Sequence, residues 1–149
     1  MSTYREHMLE GASAVDLVVA LYDGIIRFLY TAADAVDRGD VSARRVAVKR
    51  AFDIIIHLQA RLRMDIGGST AQALSEFYAS IFAQILQASQ AASREKFEHV
   101  IECVRNVRDA WKQVASESVS GDASQQGLSS RVPVLRGDAE LSQVTSWTA

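Results

Sequence analysis

Cysteine and proline each occur only once among the 149 residues of this chain. The single cysteine, Cys103, excludes an internal disulfide framework and any zinc site built from several cysteines. The first residues carry no apolar stretch of signal-peptide length, and no run of about 18 uncharged apolar residues occurs anywhere. These absences predict a soluble, cytoplasmic protein that does not insert into a membrane.

An excess of charge of one sign is also missing. The formal net charge is -2, from 16 basic and 18 acidic residues, so the chain offers no basic field for nucleic acid. Hydrophobic residues make up 48% of the chain, which is enough to build a core and argues against global disorder. Length and composition therefore predict one folded domain that does not bind nucleic acid.

Helix-breaking residues are rare, and their positions divide the chain into four segments. Residues 13–119 contain no proline and only four glycines, of which Gly39, Gly67 and Gly68 fall where the helical periodicity breaks. The predicted helices cover residues 14–38, 41–64, 70–91 and those from 94 onward. The residues suited to cap these four helices are Ser13, Asp40, Ser69 and Ser93.

Each segment carries apolar residues at three- and four-residue steps, the spacing of one helix face, and no segment alternates as a strand does. Because the connections are short, neighbouring helices are expected to be antiparallel. We therefore predict an all-α, antiparallel up-down four-helix bundle over residues 13–119, with a flexible N-terminal segment (1–12) and a disordered tail (120–149). The predicted inner positions are Leu17, Leu21, Ile25, Phe28, Leu29, Ala32, Val36, Ala47, Ala51, Ile54, Ile55, Leu58, Leu62, Leu74, Phe77, Tyr78, Ile81, Ile85, Ala88, Phe97, Val100, Ile101, Val104, Val107, Trp111 and Val114.

Patterns typical of catalysis or metal binding are missing from the sequence. A di-metal site in a helical bundle requires Glu-x-x-His on two helices, and Glu98 and His99 are adjacent instead. Cys103 has no histidine at a spacing suited to a nucleophile and its base, so it is interpreted as a small hydrophobic residue. His57, in IIIHLQARL, lacks the lysine and small residue that follow a phosphotransfer histidine, and is interpreted as a helix-boundary or partly covered residue. The sequence thus predicts a non-enzymatic protein without a cofactor.

Gly24 lies inside an apolar helical run, LVVALYDGIIRFL, over residues 17–29. A glycine within a helix costs about 1 kcal/mol relative to alanine. Its presence there indicates that another backbone or a ligand segment approaches closely at Gly24, and the alternative is that the glycine serves only packing within the fold.

The order of several short blocks is more informative than any one residue. After Tyr4 the chain carries Ala12-Ser13, LYDGIIRFL (21–29), Gly39-Asp40, LRMDIGG (62–68), Phe77-Tyr78 and VRDAW (107–111). In this order and spacing the blocks resemble those of the flagellar secretion chaperone family FliS, over about residues 4–115. Two positions depart from the family's pattern: Ala14 stands where the family usually has proline, and Arg63 where it favours an acidic residue.

The resemblance implies a function and a set of contact residues. A member of this family binds the disordered C-terminal segment of newly made flagellin in the cytoplasm, prevents early polymerisation and keeps flagellin competent for the flagellar type III export gate. The bound segment wraps around the bundle, and the chaperone's own N-terminal segment covers part of the same groove. The residues in the matching blocks that are predicted to contact the partner are Tyr22, Asp23, Gly24, Arg27, Gly67, Gly68, Tyr78, Arg108 and Trp111.

Two further sets of contact residues follow from the chain itself. Val48, Phe52 and Ile56 widen the apolar stripe of the second helix beyond what one core requires, which predicts a groove for an amphipathic helix. The alternative is that these three residues fill a thick core. The second set lies before the first predicted cap and is expected to occupy the empty groove until the client displaces it. Its members are Tyr4, Met8 and Leu9.

Other interpretations stay open at this point. Asp23 and Arg27 are four residues apart, a spacing that also allows a simple ion pair along the helix. Trp111 is equally consistent with a core position. The alternative function is another helical-bundle adaptor, or a histidine phosphotransfer module built around His57. The sequence also leaves open whether the free protein is a homodimer.

Overall fold

The computed structural model describes the backbone of residues 2–120 and the side chains of residues 14–63, 65 and 67–117. This part of the chain forms four helices: α1 (Ser2–Arg38), α2 (Val41–Ala60), α3 (Met64–Gln90) and α4 (Arg94–Ser120). The predicted all-α class is confirmed. Among the residues described, no helix combines the length and the hydropathy needed to cross a membrane. Residues 121–149 lie outside the described part, so the tail stays a prediction.

Helix α1 is longer at its N-terminal end than the sequence predicts. It begins at Ser2 and continues through Ser13 without interruption, so the prediction of a start after Ser13 is wrong. A capping serine favours a helix start but does not impose one, and the preceding residues include Arg5, Met8 and Leu9, which are good helix formers. The division at residue 12 into a separate flexible segment stays a prediction.

Two predicted N-caps are present with the expected geometry. The Oδ1 atom of Asp40 accepts a hydrogen bond from the backbone N–H of Ala43 at 3.0 Å, at the start of α2. The Oγ atom of Ser93 accepts one from the backbone N–H of Lys96 at 3.1 Å, at the start of α4. Each bond satisfies a donor that the first helical turn leaves without an internal partner.

The connection between α2 and α3 differs from the predicted one. Helix α2 ends at Ala60, and α3 begins at Met64, ahead of the predicted break at Gly67-Gly68. Gly68 has φ 58° and ψ −140°, a conformation that only glycine adopts readily. The helical path is therefore interrupted at Gly68, as predicted, but one helical turn of α3, from Met64, already precedes this break and was not expected there.

The four helices pack in a ring in which successive helices contact each other and the last helix closes against the first. Helix α1 packs against α2 and α4, and α3 packs against the same two helices from the opposite side. With short connections between successive helices, this is the predicted antiparallel up-down bundle. Leu17 is an exception among the predicted inner positions, because its side chain is 42% exposed. The largest fully buried side chains are Tyr22, Phe97, Ile25, Leu29, Ile55, Ile81, Ile85, Ile101, Val100 and Val104.

Candidate functional site

Tyr22 joins three helices through a buried chain of polar atoms. Its side chain is fully buried, and its hydroxyl oxygen lies 2.8 Å from the hydroxyl oxygen of Tyr78 on α3. Trp111, on α4, donates its indole N–H to the same Tyr22 oxygen at 3.3 Å. Burial raises the pKa of both tyrosine hydroxyls above the ordinary value, so both stay protonated at neutral pH. These contacts hold α3 and α4 against α1.

Asp23 pairs with α4 and not with its own helix. The Nη1 atom of Arg108 donates to Asp23 Oδ1 at 2.6 Å, and its Nε atom donates to Asp109 at 3.0 Å. The hydrogen bond to Asp23 is the main reason why the pKa of the Arg108 guanidinium is raised. The Arg27 guanidinium lies instead 5.2 Å from the centre of the Phe28 ring. The interpretation of Asp23 and Arg27 as a pair along α1 is therefore wrong.

Gly24 is buried where α1 contacts α2. A Cβ atom added at Gly24 would lie 3.0 Å from the Cδ1 atom of Ile54, a distance shorter than an ordinary van der Waals contact. The approach at Gly24 is close, but the group that approaches is a side chain of α2 and not a backbone or a ligand segment, so packing within the fold describes this glycine. Tyr22, Asp23 and Gly24 therefore contact α3, α4 and α2, so this motif carries many of the contacts that hold the bundle together.

Two hollows lie end to end on the outer surface between α2 and α3, on either side of the stacked Phe52 and Phe82 rings, and together we call them the α2–α3 groove. One half has a volume of about 480 Å³ and an almost wholly apolar lining. Ile56 projects from α2 with 55% of its side chain exposed. The Phe52 and Phe82 rings stack across the groove with their centres 3.9 Å apart. The residues that line this half are Ile55, Ile56, Gln59, Ala60, Tyr78, Ala79 and Phe82.

The other half of the α2–α3 groove combines an apolar floor with basic side chains. It has a volume of about 470 Å³, and Leu86 on α3 is 43% exposed there. Lys49 forms an ion pair of 3.1 Å with Asp53, one turn further along α2. The residues that line this half are Arg44, Arg45, Val48, Lys49, Phe52, Leu86, Ser89 and Gln90.

A third hollow, between α3 and α4, has a different chemical character. It has a volume of about 400 Å³ and is lined by polar side chains. Without an apolar floor it offers little surface for hydrophobic contact. The α2–α3 groove is therefore the better candidate for binding an amphipathic segment. The lining of the third hollow consists of Gln84, Gln87, Ser93, Glu95, Lys96 and His99.

The three residues predicted from the width of the α2 stripe all line the α2–α3 groove. Their exposure increases along the helix: Val48 is buried, Phe52 is half-buried and Ile56 is exposed. The thick-core alternative therefore describes Val48 but not Ile56. The opposite wall, formed by Phe82 and Leu86, was missed by the sequence analysis. Phe82 and Leu86 are four residues apart and widen the α3 stripe in the same way, so a comparable signal was available.

The residues taken from the family blocks are spread over the bundle. Tyr78 lines the α2–α3 groove, with only 2% of its residue surface exposed. Gly67 and Gly68 lie in the first turns of α3, and Arg108 lies on α4 beside Asp23. Trp111 is half-buried and packs against the core. The side chains of the N-terminal set (Tyr4, Met8 and Leu9) lie outside the described residues.

Two residues examined for catalysis differ from the sequence interpretation. His57 is exposed in the last turn of α2, so the helix-boundary interpretation is confirmed and the partly covered one is wrong. The Nε2 atom of His99 lies 3.9 Å from the Sγ atom of Cys103, so the statement that Cys103 has no suitably spaced histidine is wrong as well. Burial raises the pKa of the Cys103 thiol, whereas an activated nucleophile needs a lowered pKa. In the part of the chain described here, no cluster of three or more potential metal ligands is present.

Comparison with known proteins gives one consistent result. Residues 1–118 match the family described as flagellar protein FliS. The chain is 30% identical over 123 residues to the flagellar secretion chaperone FliS of Vibrio cholerae, covering 83% of this chain and 90% of that protein. It is 32% identical over 114 residues to the protein of the same name from Salmonella typhimurium, covering 76% and 84% of the two chains. The corresponding Bacillus subtilis protein is 26% identical over 112 residues, with 75% and 83% covered.

Proposed function

Since the chain belongs to the FliS family of flagellar secretion chaperones, we propose that it binds the disordered C-terminal segment of flagellin in the cytoplasm. Binding prevents premature polymerisation of flagellin and keeps it competent for the flagellar type III export gate. The protein carries out this task without catalysis, because chaperone action of this kind needs only a reversible complex.

The α2–α3 groove is the observation that carries the proposal. It presents Ile56 and Leu86, each about half exposed, on either side of the stacked Phe52 and Phe82 rings. Large apolar side chains exposed together on a soluble domain mark a surface for another chain. Between Arg44 and Ala60 the groove follows α2 for roughly 24 Å, which is the length of a helix of about 16 residues. An amphipathic helix that forms on binding fits this surface.

A disordered client suits a chaperone that must later release its cargo. Ordering such a segment costs about 2–5 kcal/mol, which is taken from the gross energy of the interface. Burial of the client's apolar surface in the groove contributes about 25 cal/mol per Å² of favourable free energy and outweighs this cost. The resulting complex is specific in the cell and can still dissociate at the export machinery.

Co-purification tests the proposal directly. The full chain is mixed with full-length flagellin from the same organism, and separately with flagellin that lacks its C-terminal segment. We expect a complex only with the full-length protein. Equal recovery of both forms would show that the C-terminal segment is not the binding element.

The effect on polymerisation is measured separately by light scattering of flagellin seeded with filament fragments. We expect an equimolar amount of the chaperone to suppress filament growth. A chain that binds flagellin without slowing growth would contradict the second part of the proposal.

A further inference from the structure

Two arginines at one end of the α2–α3 groove have no acidic partner among the described residues. Arg44 and Arg45 both line the groove, next to Val48 on α2. Neither takes part in the ion pairs of the described residues, whereas nearby Lys49 is paired with Asp53. The charge at this end is therefore not neutralised by any side chain that the structure describes.

Arg44 also carries a buried polar atom without a partner. Its Nε atom is buried and has no hydrogen-bond acceptor within the described part of the chain. A buried donor without an acceptor lowers stability, so such a group is usually satisfied when the proper partner is bound. A guanidinium offers a planar set of donors that matches the two oxygens of a carboxylate.

The surroundings favour the carboxylate of a peptide over a nucleic acid phosphate. The floor beside the arginines is apolar, formed by Phe52 and Leu86, and suits a peptide side chain. The formal net charge of the chain is -2, which does not support binding along a phosphate backbone. The groove thus joins an apolar strip to one basic end.

We propose that Arg44 and Arg45 select a client segment that carries acidic side chains beside its apolar stripe. The acidic side chains lie over the Arg44 end of the α2–α3 groove, and the apolar stripe covers Phe82 and Ile56. This inference rests on the proposed function, because it takes the client to bind in this groove. It adds a charge requirement that apolar contact alone does not impose.

Three synthetic helical peptides of about 16 residues test the charge requirement with the full chain. They share one apolar stripe and differ only in the turn at one end, which carries two Glu, two Gln or two Lys residues. We expect the Glu peptide to bind about tenfold more tightly than the Lys peptide at low salt, with the Gln peptide between them. The difference should shrink as ionic strength rises, because salt screens partly exposed charges.

A double substitution, Arg44→Glu with Arg45→Glu, should reverse the order so that the Lys peptide binds best. The matched control is Arg50→Glu with Lys112→Glu, which changes the net charge equally at exposed positions outside the groove lining. The control should keep the preference for the Glu peptide. Equal binding of the three peptides to the wild-type chain, or a reversed order in the control, would overturn the inference.

Other occupants of the groove give different results in the same assay. If replacing Leu141 and Trp147 with Ser tightens binding of all three peptides, residues 121–149 occupy the groove in the free chain. If the free chain sediments as a dimer that the peptides convert to a monomer, a second copy occupies it. Either result overturns the assignment of Arg44 and Arg45 to a client. Flagellin binding without any charge preference would refute this inference alone, whereas failure of flagellin to bind would refute the proposed function.

Discussion

At the scale of single residues, one missing methyl group decides how closely α1 and α2 approach. The sequence predicted a close contact at Gly24 from the cost of glycine within a helix. It did not identify the neighbour, since the position of Ile54 opposite Gly24 depends on how α1 and α2 pack. The identity of a tertiary contact becomes visible only when both helices are placed.

Gly24→Ala should leave the free energy of unfolding within about 1 kcal/mol of the wild type. Alanine gains about 1 kcal/mol in helix propensity, but its methyl group would lie 3.0 Å from Ile54 Cδ1, so the two effects oppose each other. The substitution Ile54→Val removes the Cδ1 methyl group of Ile54. In that background Gly24→Ala should be more favourable by about 0.5–1 kcal/mol. Urea denaturation of the four proteins in this cycle measures the difference. Strict additivity would show that the contact does not limit the helix approach.

The buried tyrosine pair predicts a loss of stability in alkali. The pKa of both Tyr22 and Tyr78 is raised in the folded chain, mainly by burial, whereas the unfolded chain titrates near the ordinary value of about 10. Above that pH the unfolded state binds fewer protons than the folded state, so stability is full below it and falls as the pH rises. The two groups together contribute a slope of up to about 2.7 kcal/mol per pH unit.

The measurement is the denaturation midpoint between neutral pH and about pH 11. The combined substitution Tyr22→Phe and Tyr78→Phe should flatten the decline, whereas Tyr30→Phe, at an exposed tyrosine, should not. A steep decline that persists in the double variant would assign it to other groups. Spectroscopic evidence that Tyr22 or Tyr78 itself is ionised in the folded chain at pH 10 would also contradict the account.

At the scale of elements, the sequence predicted helix ends well where capping chemistry is local. The caps at Asp40 and Ser93 are present as expected, because each needs only a side chain and the N–H three residues later. The start of α1 was predicted at Ser13 and lies at Ser2, since a cap residue does not prevent a helix from continuing. The predicted break at the glycine pair lies at Gly68, but the helical turn from Met64 that precedes it belongs to α3, because a break in periodicity does not distinguish a helix boundary from a kink.

Gly68→Ala should lower the free energy of unfolding by about 1–3 kcal/mol. The φ of 58° and ψ of −140° at Gly68 are unfavourable for any residue with a Cβ atom, so alanine either strains the backbone or moves the first turn of α3. A solvent-exposed glycine in a regular helix would instead gain stability on this change. Thermal and urea unfolding show whether Gly68→Ala lowers or raises the free energy of unfolding. Increased stability would contradict the kink described here.

At the scale of the whole molecule, the sequence predicted the fold far better than it predicted the proposed binding surface. Apolar periodicity identified most of the described core but not Tyr22, its largest fully buried side chain, and the excess width of the α2 stripe pointed to one wall of the α2–α3 groove. The other wall, with Phe82 and Leu86, required the same test on α3. The basic end at Arg44 and Arg45 could not be recognised, because ion pairing depends on which side chains the fold brings together.

The whole account depends on the α2–α3 groove as the surface that binds the client. Ile56→Asp places a charge in its apolar half, while Val46→Asp makes the same change at a residue of similar exposure on α2 that lies outside the groove lining. Both side chains are more than half exposed, so neither substitution should change stability by more than about 0.5 kcal/mol.

Isothermal titration calorimetry with the C-terminal segment of flagellin compares the wild type and these two variants. We predict that Ile56→Asp weakens binding at least about tenfold, which corresponds to about 1.4 kcal/mol, and that Val46→Asp changes the affinity less than about twofold. Wild-type affinity in a correctly folded Ile56→Asp protein would contradict the assignment of this groove to the client.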